Sequence, residues 1–552
     1  MFRNRSVDVH QFAMVPRADI PRSSFVRQAT HKTAFDAGYL VPVYVDEVLP
    51  GDTISLSMTA FARLATPIFP FLDNLKLSSF WFFVPNRLVW TNWVKFMGQQ
   101  TNPGDSTSYT IPQMVSPASG YAVGSLHDYM GLPTVGQVGV GNTVSHSSLF
   151  LRAYSLVFNE WFRDENLQNS VTVDTGDGPD TYSNYTLLRR GKRPDYFTTG
   201  LPWPQKGTAV SLPLGTSAPV YGDGKALGLW DGTAGNGLVT SGSGAPLLRP
   251  GSYNGAAGSA IVDTGGPAAS KIIGVVGKSQ GSPAGASGLY ADLSNAAAAT
   301  INQLRQSFQI QKLLERDARG GTRYSEMVRQ HFGVTLPDAQ WRPSYLGGGI
   351  VPVNVNPIAQ TSGTSASGTT TPLGNLAAMG TALSQSGGFS ASFAEHGMIL
   401  GLVCVDADLT YQQGLNRMWS RSTRYDFYHP VFAALGEQTI LNKEIYCDGS
   451  ANDNNVFAYN ERWAEYRYRP SMITGLMRST ASGTIDNWHL AQKFTSLPTL
   501  NSTFIQSTPP LSRVLAVGAA ANGQQLLGDF FFNVRSVRPM PMYSVPGLID
   551  HF

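Results

Sequence analysis

Residues 51–59 read GDTISLSMT and residues 75–84 read LKLSSFWFFV. In the first, Ile54, Leu56 and Met58 alternate with Ser55, Ser57 and Thr59, the period-two pattern of a strand with one face in a core and one in water. Pro50-Gly51 supplies the turn ahead of it. In the second, Leu75 and Leu77 alternate and then give way to FWFFV (80–84), an apolar run suited to a strand buried on both faces. Strand signals return late in the chain, in MILGLVCV (398–405), RWAEYRYRP (462–470) and FFFNVRSV (530–537). Strand material therefore lies at both ends, with no regular alternation with helices and no fixed repeat, so a mainly β, antiparallel jelly roll fits better than an α/β fold.

Helices and insertions hang between these strands. Ser147 or Ser148 can cap a segment in which Phe150, Tyr154, Val157, Phe158 and Trp161 recur at helical spacing. A second helix starts near Thr300, carries Ile301, Leu304, Phe308 and Leu314, and ends at Gly320-Gly321. A shorter one over 323–332 is stopped by Gly333. Residues 207–298 hold 20 of the 57 glycines with only four acids and four bases, and 360–375 (QTSGTSASGTTTPLGN) is similar. Such sequence is poor core material and too long for an ordinary connection, so both tracts read as surface insertions.

Composition narrows the function. Only 14% of the 552 residues are charged, against an average of about 25%, while 42% are hydrophobic and 11% aromatic. That excludes wholesale disorder and implies a surface covered by something. Arg3, Arg5, Arg17, Arg22, Arg27 and Lys32 against Asp8 and Asp19 make residues 1–32 a basic extended arm. The N-terminus lacks a continuous apolar signal core and nothing approaches a membrane span, so a soluble chain that stays in the cytosol is expected. Cys404 and Cys447 form no CxxC pair and read as buried small hydrophobes.

Enzymatic patterns fail on spacing. VTVDTG (Asp174) and AIVDTGG (Asp263) resemble the two aspartates of a pepsin-like protease, but 89 residues between them are too few for one carboxylate per lobe. Gly277-Lys278-Ser279 mimics the end of a phosphate loop, yet Ile272 stands where its first glycine should be. DGSANDNN (448–455) lacks the aspartate ladder of a calcium loop, and the histidines show no metal spacing, so His396, His429 and His489 read as structural. No catalytic residue, metal or cofactor is predicted.

Interleaved arginines and rings are more informative. NRMWSRSTRYDFYHP places Arg417, Arg421 and Arg424 among Trp419, Tyr425, Phe427 and Tyr428. LLRRGKRPDYF (187–197) and ERWAEYRYRP (461–470) repeat the mixture. Two readings stand. Such residues can neutralise phosphate and stack bases of single-stranded nucleic acid, or they can pair with Asp164, Glu165, Glu461 and Glu465 where subunits meet. A net charge of +3 cannot by itself neutralise a polynucleotide.

Longer blocks carry a resemblance. HKTAFDAGYLVPVYVDEVLPGDT (31–53), LKLSSFWFFVPNRLVWTNWVKFMG (75–98), LRAYSLVFNEWFRDENLQ (151–168) and LRRGKRPDYFTTGLPWPQKG (188–207) resemble the major capsid protein of gokushoviruses, single-stranded-DNA bacteriophages of the microvirus group. So do residues 301–334, 408–438, 462–470 and 486–501, and RPMPMYSVPGLIDHF at 538–552. The resemblance implies an eight-stranded antiparallel viral jelly roll with long helical and loop insertions, assembled as a T=1 icosahedral shell around circular single-stranded DNA. It also implies an internal scaffolding protein, a DNA pilot protein, a host surface receptor, and a virion assembled in the bacterial host cytoplasm.

The expected organisation is a basic arm (1–32), jelly-roll strands with helical insertions (33–206), a threefold-axis protrusion (207–298), a helical connection (299–359), a second variable loop (360–395) and the remaining strands with a C-terminal arm (396–552). Nucleic-acid contacts are expected at Arg3, Arg5, Arg417, Arg421, Arg424, Trp419 and Tyr425, and host contacts at Trp230, Tyr253, Lys271 and Tyr290. An aspartic protease built on Asp174 and Asp263, and a glycan-binding jelly roll using 207–298, are the competing classes.

Overall fold

The computed structural model describes residues 21–210, 220–222, 227–230, 274–279, 289–291, 301–337, 341–359, 376–385, 387–517 and 524–543. The chain divides into two compact units, Gly207–Leu314 and the remainder. The larger unit is built on β1 (Ser23–Phe35), β2 (Val41–Val48), β3 (Thr53–Leu64), β4 (Leu75–Pro85), β5 (Ser344–Ala359), β6 (Leu376–Ser384), β7 (Phe389–Ser392), β8 (Gly397–Ala407), the hairpin β9 (Glu437–Leu441) and β10 (Val456–Glu461), and β11 (Leu526–Arg538).

Eight strands follow the order β1-β11-β3-β6-β5-β4-β8-β2, with β7 paired to β3 beside β6, and every ladder is antiparallel. β5 joins two layers: its first part pairs with β4 and Asn354–Ala359 pairs with β6. The two outermost strands, β1 and β2, are clasped by side chains. Arg27 of β1 grips Asp46 of β2 through both oxygens, at 3.1 and 2.5 Å, and Arg538 donates to the Glu47 carbonyl at 2.9 Å. The result is a nearly closed, jelly-roll barrel.

Side-chain alternation explains the layering. Along β3, Ile54, Leu56, Met58, Ala60, Ala62 and Leu64 are buried while Ser55, Ser57, Phe61 and Arg63 are exposed, as a half-buried strand requires. β8 is buried along its whole length, and its alternate residues feed two cores. Ile399, Val403 and Val405 point between the layers with Trp81 and Phe83 of β4. Met398, Leu400, Leu402 and Cys404 join Phe82 and Val84 in a second core on the far side. FWFFV is thus a strand shared by two cores.

Helix α1 (Leu149–Val157) covers that second core and runs into a π-turn at Phe158–Phe162. Ser148 sits at its N-cap, but its hydroxyl donates to the Pro112 carbonyl instead of capping. Helices α2 (Ile301–Arg319) and α3 (Tyr324–Phe332) fall where expected, and Gly333 ends α3 at φ 70°, a left-handed conformation that glycine adopts freely. The smaller unit holds α2's first turns and two short ladders, Val220–Gly222 with Leu289–Ala291 and Leu227–Trp230 with Gly274–Ser279. Gly277-Lys278-Ser279 therefore lies in a strand.

Three expectations change. Ser23–Phe35, assigned mostly to the basic arm, is a strand held by its thirteen-residue ladder to β11. RWAEYRYRP is not a strand: β10 ends at Glu461, Trp463 turns to φ 69°, and Ala464–Tyr466 form a 3₁₀ turn. Cys404 is buried, but Cys447 is exposed, its thiol directed at Asp453 at 3.4 Å.

Candidate interaction surface

The arginine–aromatic segments separate into an internal brace and an exposed surface. In the first, Arg190 and Arg193 converge on Asp406 at 3.1 and 2.7 Å, and Arg189 lies 4.0 Å over the Tyr39 ring. Lys192 donates to Gln492 at 2.9 Å and sits 4.1 Å over Phe504. Burial pushes the Lys192 ammonium down to about 8, with Asp195 pulling the other way. Below that pH both folded and unfolded chains carry the proton, and folding bears the cost of a buried ammonium. Between about 8 and the ordinary 10.5 the unfolded chain binds the extra proton, so this residue makes stability rise with pH. Lys192→Met is expected to flatten that rise in urea unfolding curves taken across the window; an unchanged pH profile would refute it.

The second surface rests on a small core of Tyr196, Phe197, Tyr411, Ile440, Ile445, Phe457, Ala458, Ala464 and Phe504. Above it Glu444 and Glu465, both nearly inaccessible, anchor the loop from Asn416 to Tyr428. Arg417 meets Glu444 at 2.9 Å and Glu465 at 3.8 Å, and Arg421 meets Glu465 at 3.5 Å. Tyr196 donates to Glu444 at 2.8 Å, and Gln438 donates to Glu465 at 2.6 Å. Burial raises Glu444 against the opposing pull of Arg417. Arg421 also lies 4.4 Å over the Tyr466 ring and donates to its hydroxyl at 2.6 Å. Asp426 closes the next turn by accepting from the Ser422 and Thr423 amides, which hold its carboxyl down at about 2.

Arg417 and Arg421 are thus paired inside the chain while the rings face out. Trp419 is 72% exposed, Tyr425 60%, Val431 88% and Met472 72%, with Phe427 and Tyr428 also open. Trp419, Met418 and Met472 border a cleft of about 500 Å³ that Arg469 and Arg478 also line. Arg424 lies 5.4 Å over Tyr425 and has no carboxylate partner among the described residues. Of the other expected contacts, Arg3, Arg5, Tyr253 and Lys271 lie outside the described residues. Trp230 and Tyr290 fall in the strands Leu227–Trp230 and Leu289–Ala291, their side chains outside the description.

The enzymatic leads acquire structural duties. Asp174 accepts from Tyr185 at 3.2 Å, while Asp263 lies outside the described residues. Asp453 folds the 448–455 turn by accepting from the Gly449 amide at 3.0 Å. His489 donates to the Met477 carbonyl at 2.6 Å, and His396 and His429 pack edge-on against Trp93 and Phe432. No group of three His, Cys, Asp or Glu side chains among the described residues could hold a metal, and no described helix is long and apolar enough to cross a membrane.

Comparison with known proteins supplies the family. Residues 13–548 match the family described as Capsid protein (F protein). The chain is 46% identical over 547 residues to capsid protein VP1 of Bdellovibrio phage phiMH2K, and 44% identical over 603 residues to capsid protein VP1 of Chlamydia phage 1. It is 36% identical to capsid protein VP1 of Spiroplasma virus 4, and each match covers 98% of both chains. A jelly-roll barrel and similarity along nearly the whole length agree: the chain belongs to the phage capsid protein (F protein) family, as a gokushovirus-like major capsid protein, a structural component of the virion and not an enzyme.

Proposed function

We propose that the chain assembles into a T=1 icosahedral shell that encloses a circular single-stranded DNA genome, with an internal scaffolding protein and a DNA pilot protein, in the bacterial host cytoplasm. The insertion at 207–298 serves as the protrusion that meets the host receptor, with Trp230, Tyr253, Lys271 and Tyr290 as its contact residues. One observation carries the assembly reading: Trp419, Tyr425 and Val431 stand in solvent above a network whose arginines are already paired. Interface cores favour Tyr, Trp, Phe and Met and shed unpaired charge.

The same observation favours copy-to-copy contact over genome binding for Arg417, Arg421, Trp419 and Tyr425. Arg424 stays free to meet phosphate, alongside Arg3 and Arg5 of the arm. Val431→Asp places a carboxylate at the most exposed of this surface's apolar side chains. Electron microscopy of the chain coexpressed with its scaffold should show shells for the wild type and none for the variant. The variant's unfolding free energy should stay within about 0.5 kcal/mol, as for other exposed sites. Normal shells from the variant would remove the surface from the interface, and a wild-type chain that never leaves the monomer state would remove the shell itself.

A further inference from the structure

The two faces of the barrel are unequally dressed. The layer containing β4 and β8 carries the second core and α1 on its outer side. The outer face of β1-β11-β3-β6 presents its side chains to solvent. Register aligns them in rows: Thr30, Phe531 and Thr59 in one, Lys32, Asp529 and Phe61 in the next. Phe61 is 47% exposed and Phe531 38%. They sit diagonally on adjacent strands, a spacing of roughly 7–8 Å at which large rings are neighbours.

Charge on this face is one-sided. Arg63 flanks the two rings at one end and Arg535 at the other, both exposed. Neither has a carboxylate partner among the described residues; Arg535 reaches only the Ser24 hydroxyl, at 3.2 Å. Asp529 is the acid of these rows, and Lys32 already pairs with it. Between the arginines the Ser57–Asn533 row adds small hydrogen-bonding side chains, Ser55 lies opposite Arg535 itself, and exposed Val26, Leu527 and Leu383 stand beside Arg535, Arg63 and Phe61. This differs from the loop surface, where each of Arg417 and Arg421 has an internal carboxylate.

We propose that the outer face of β1-β11-β3-β6 binds single-stranded nucleic acid, with Phe61 and Phe531 as stacking platforms for bases and Arg63 and Arg535 as phosphate contacts. Open sheet faces with exposed rings suit unpaired bases, because every base offers a π-face while a duplex hides it. Unpaired guanidiniums supply the charge that a polyanion complements and that a second copy of this charge-poor chain would leave uncompensated. The proposal rests on the capsid reading and specifies which wall of the subunit meets the genome.

The test titrates the purified full-length chain with a short labelled oligodeoxythymidine at several salt concentrations, beside a parallel assembly assay with the scaffold. F61A/F531A should weaken binding by roughly thirtyfold or more, since two stacking platforms of at least about 1 kcal/mol each are removed. R63Q/R535Q should reduce the slope of log affinity against log salt by about 1.4, roughly 0.7 for each phosphate no longer neutralised. Both pairs are solvent-facing, and unchanged thermal midpoints would establish that they fold. Absence of wild-type binding, or variants with wild-type affinity and slope, would overturn the proposal. So would variants that lose assembly yet bind DNA normally, since the face would then belong to another copy. A wild-type chain that binds the oligonucleotide but forms no shell would instead defeat the capsid reading alone.

Discussion

Trp81→Ala is expected to lower the unfolding free energy by about 3–5 kcal/mol, the range for removing a large ring from a packed core. Trp81 is completely buried between the barrel layers. Its ring meets Tyr44, Phe389 and Phe532 at centroid distances of 5.8, 5.7 and 6.1 Å, and its indole N–H donates to the Gly387 carbonyl. Four strands or their connections therefore converge on one side chain, and none can close the hole without breaking its own ladder. The directly opposed residue on β8 is Gly401, where a β-carbon would fall inside the Trp81 ring's contact distance. Gly401→Ala should cost about 1–3 kcal/mol by overpacking. Combining it with Trp81→Leu should cost less than the sum, because the two substitutions share one volume. Urea denaturation of the wild type, Gly401→Ala, Trp81→Leu and the double variant measures this, and additive losses would show that Gly401 is not there to admit the ring.

The second large effect lies at Arg152, whose side chain is fully buried in α1. Its guanidinium holds both oxygens of Asp180, at 2.7 and 2.5 Å, and donates to the Val89 and Gly176 carbonyls at 3.0 and 2.9 Å. Arg152→Met would leave the Asp180 carboxylate buried without its cation, at a cost of about 3–5 kcal/mol. Replacing both residues with apolar ones should recover most of that loss, since the pair's own desolvation disappears with it. The pH dependence separates the cases. Burial works to raise Asp180, but the two hydrogen bonds and the positive charge of Arg152, with the polar Ser148 and Tyr185 hydroxyls beside them, outweigh it and hold the carboxyl below its ordinary range. The wild-type contribution is therefore present at neutral pH and is lost only as acid titrates the folded group below that range. In Arg152→Met the sign reverses: Asp180 rises, and mild acid should relieve the loss by neutralising it. Unfolding curves near neutrality and in mild acid read this directly, and a variant deficit independent of pH would contradict it.

Much of the barrel was legible in the sequence because strand burial has a simple period. Ile54, Leu56 and Met58 went to the core and Ser55 and Ser57 to solvent, as their alternation required. FWFFV was readable as doubly buried because nothing polar interrupts it, whereas MILGLVCV was readable as a strand and the structure showed it buried along its whole length. Gly333 stopped a helix by the conformation only glycine takes easily. RWAEYRYRP misled because alternating rings and charges imitate a strand, while the left-handed turn at Trp463 is a tertiary choice. β1 was hidden for the opposite reason: its hold on the sheet is a backbone ladder to β11, more than five hundred residues away at Ser23 and Arg538, and its side chains advertise little. Arg152 was visible only as one base in the apolar LFLRAY, and nothing local named Asp180 as its partner.

The sequence by itself determined the alternation that makes strands, the composition that sets 207–298 apart, and the blocks by which the chain resembles its family, because these are properties of neighbours along the chain. Tertiary structure alone decided which arginines are free. Arg417 and Arg421 looked available beside their rings and are spent on Glu444 and Glu465, whereas Arg63 and Arg535, unremarked in their strands, have no carboxylate partner among the described residues and stand on an open sheet face. The reason is physical: a charge is available or satisfied according to what the fold brings within a few ångströms, and strand pairing over hundreds of residues sets that distance.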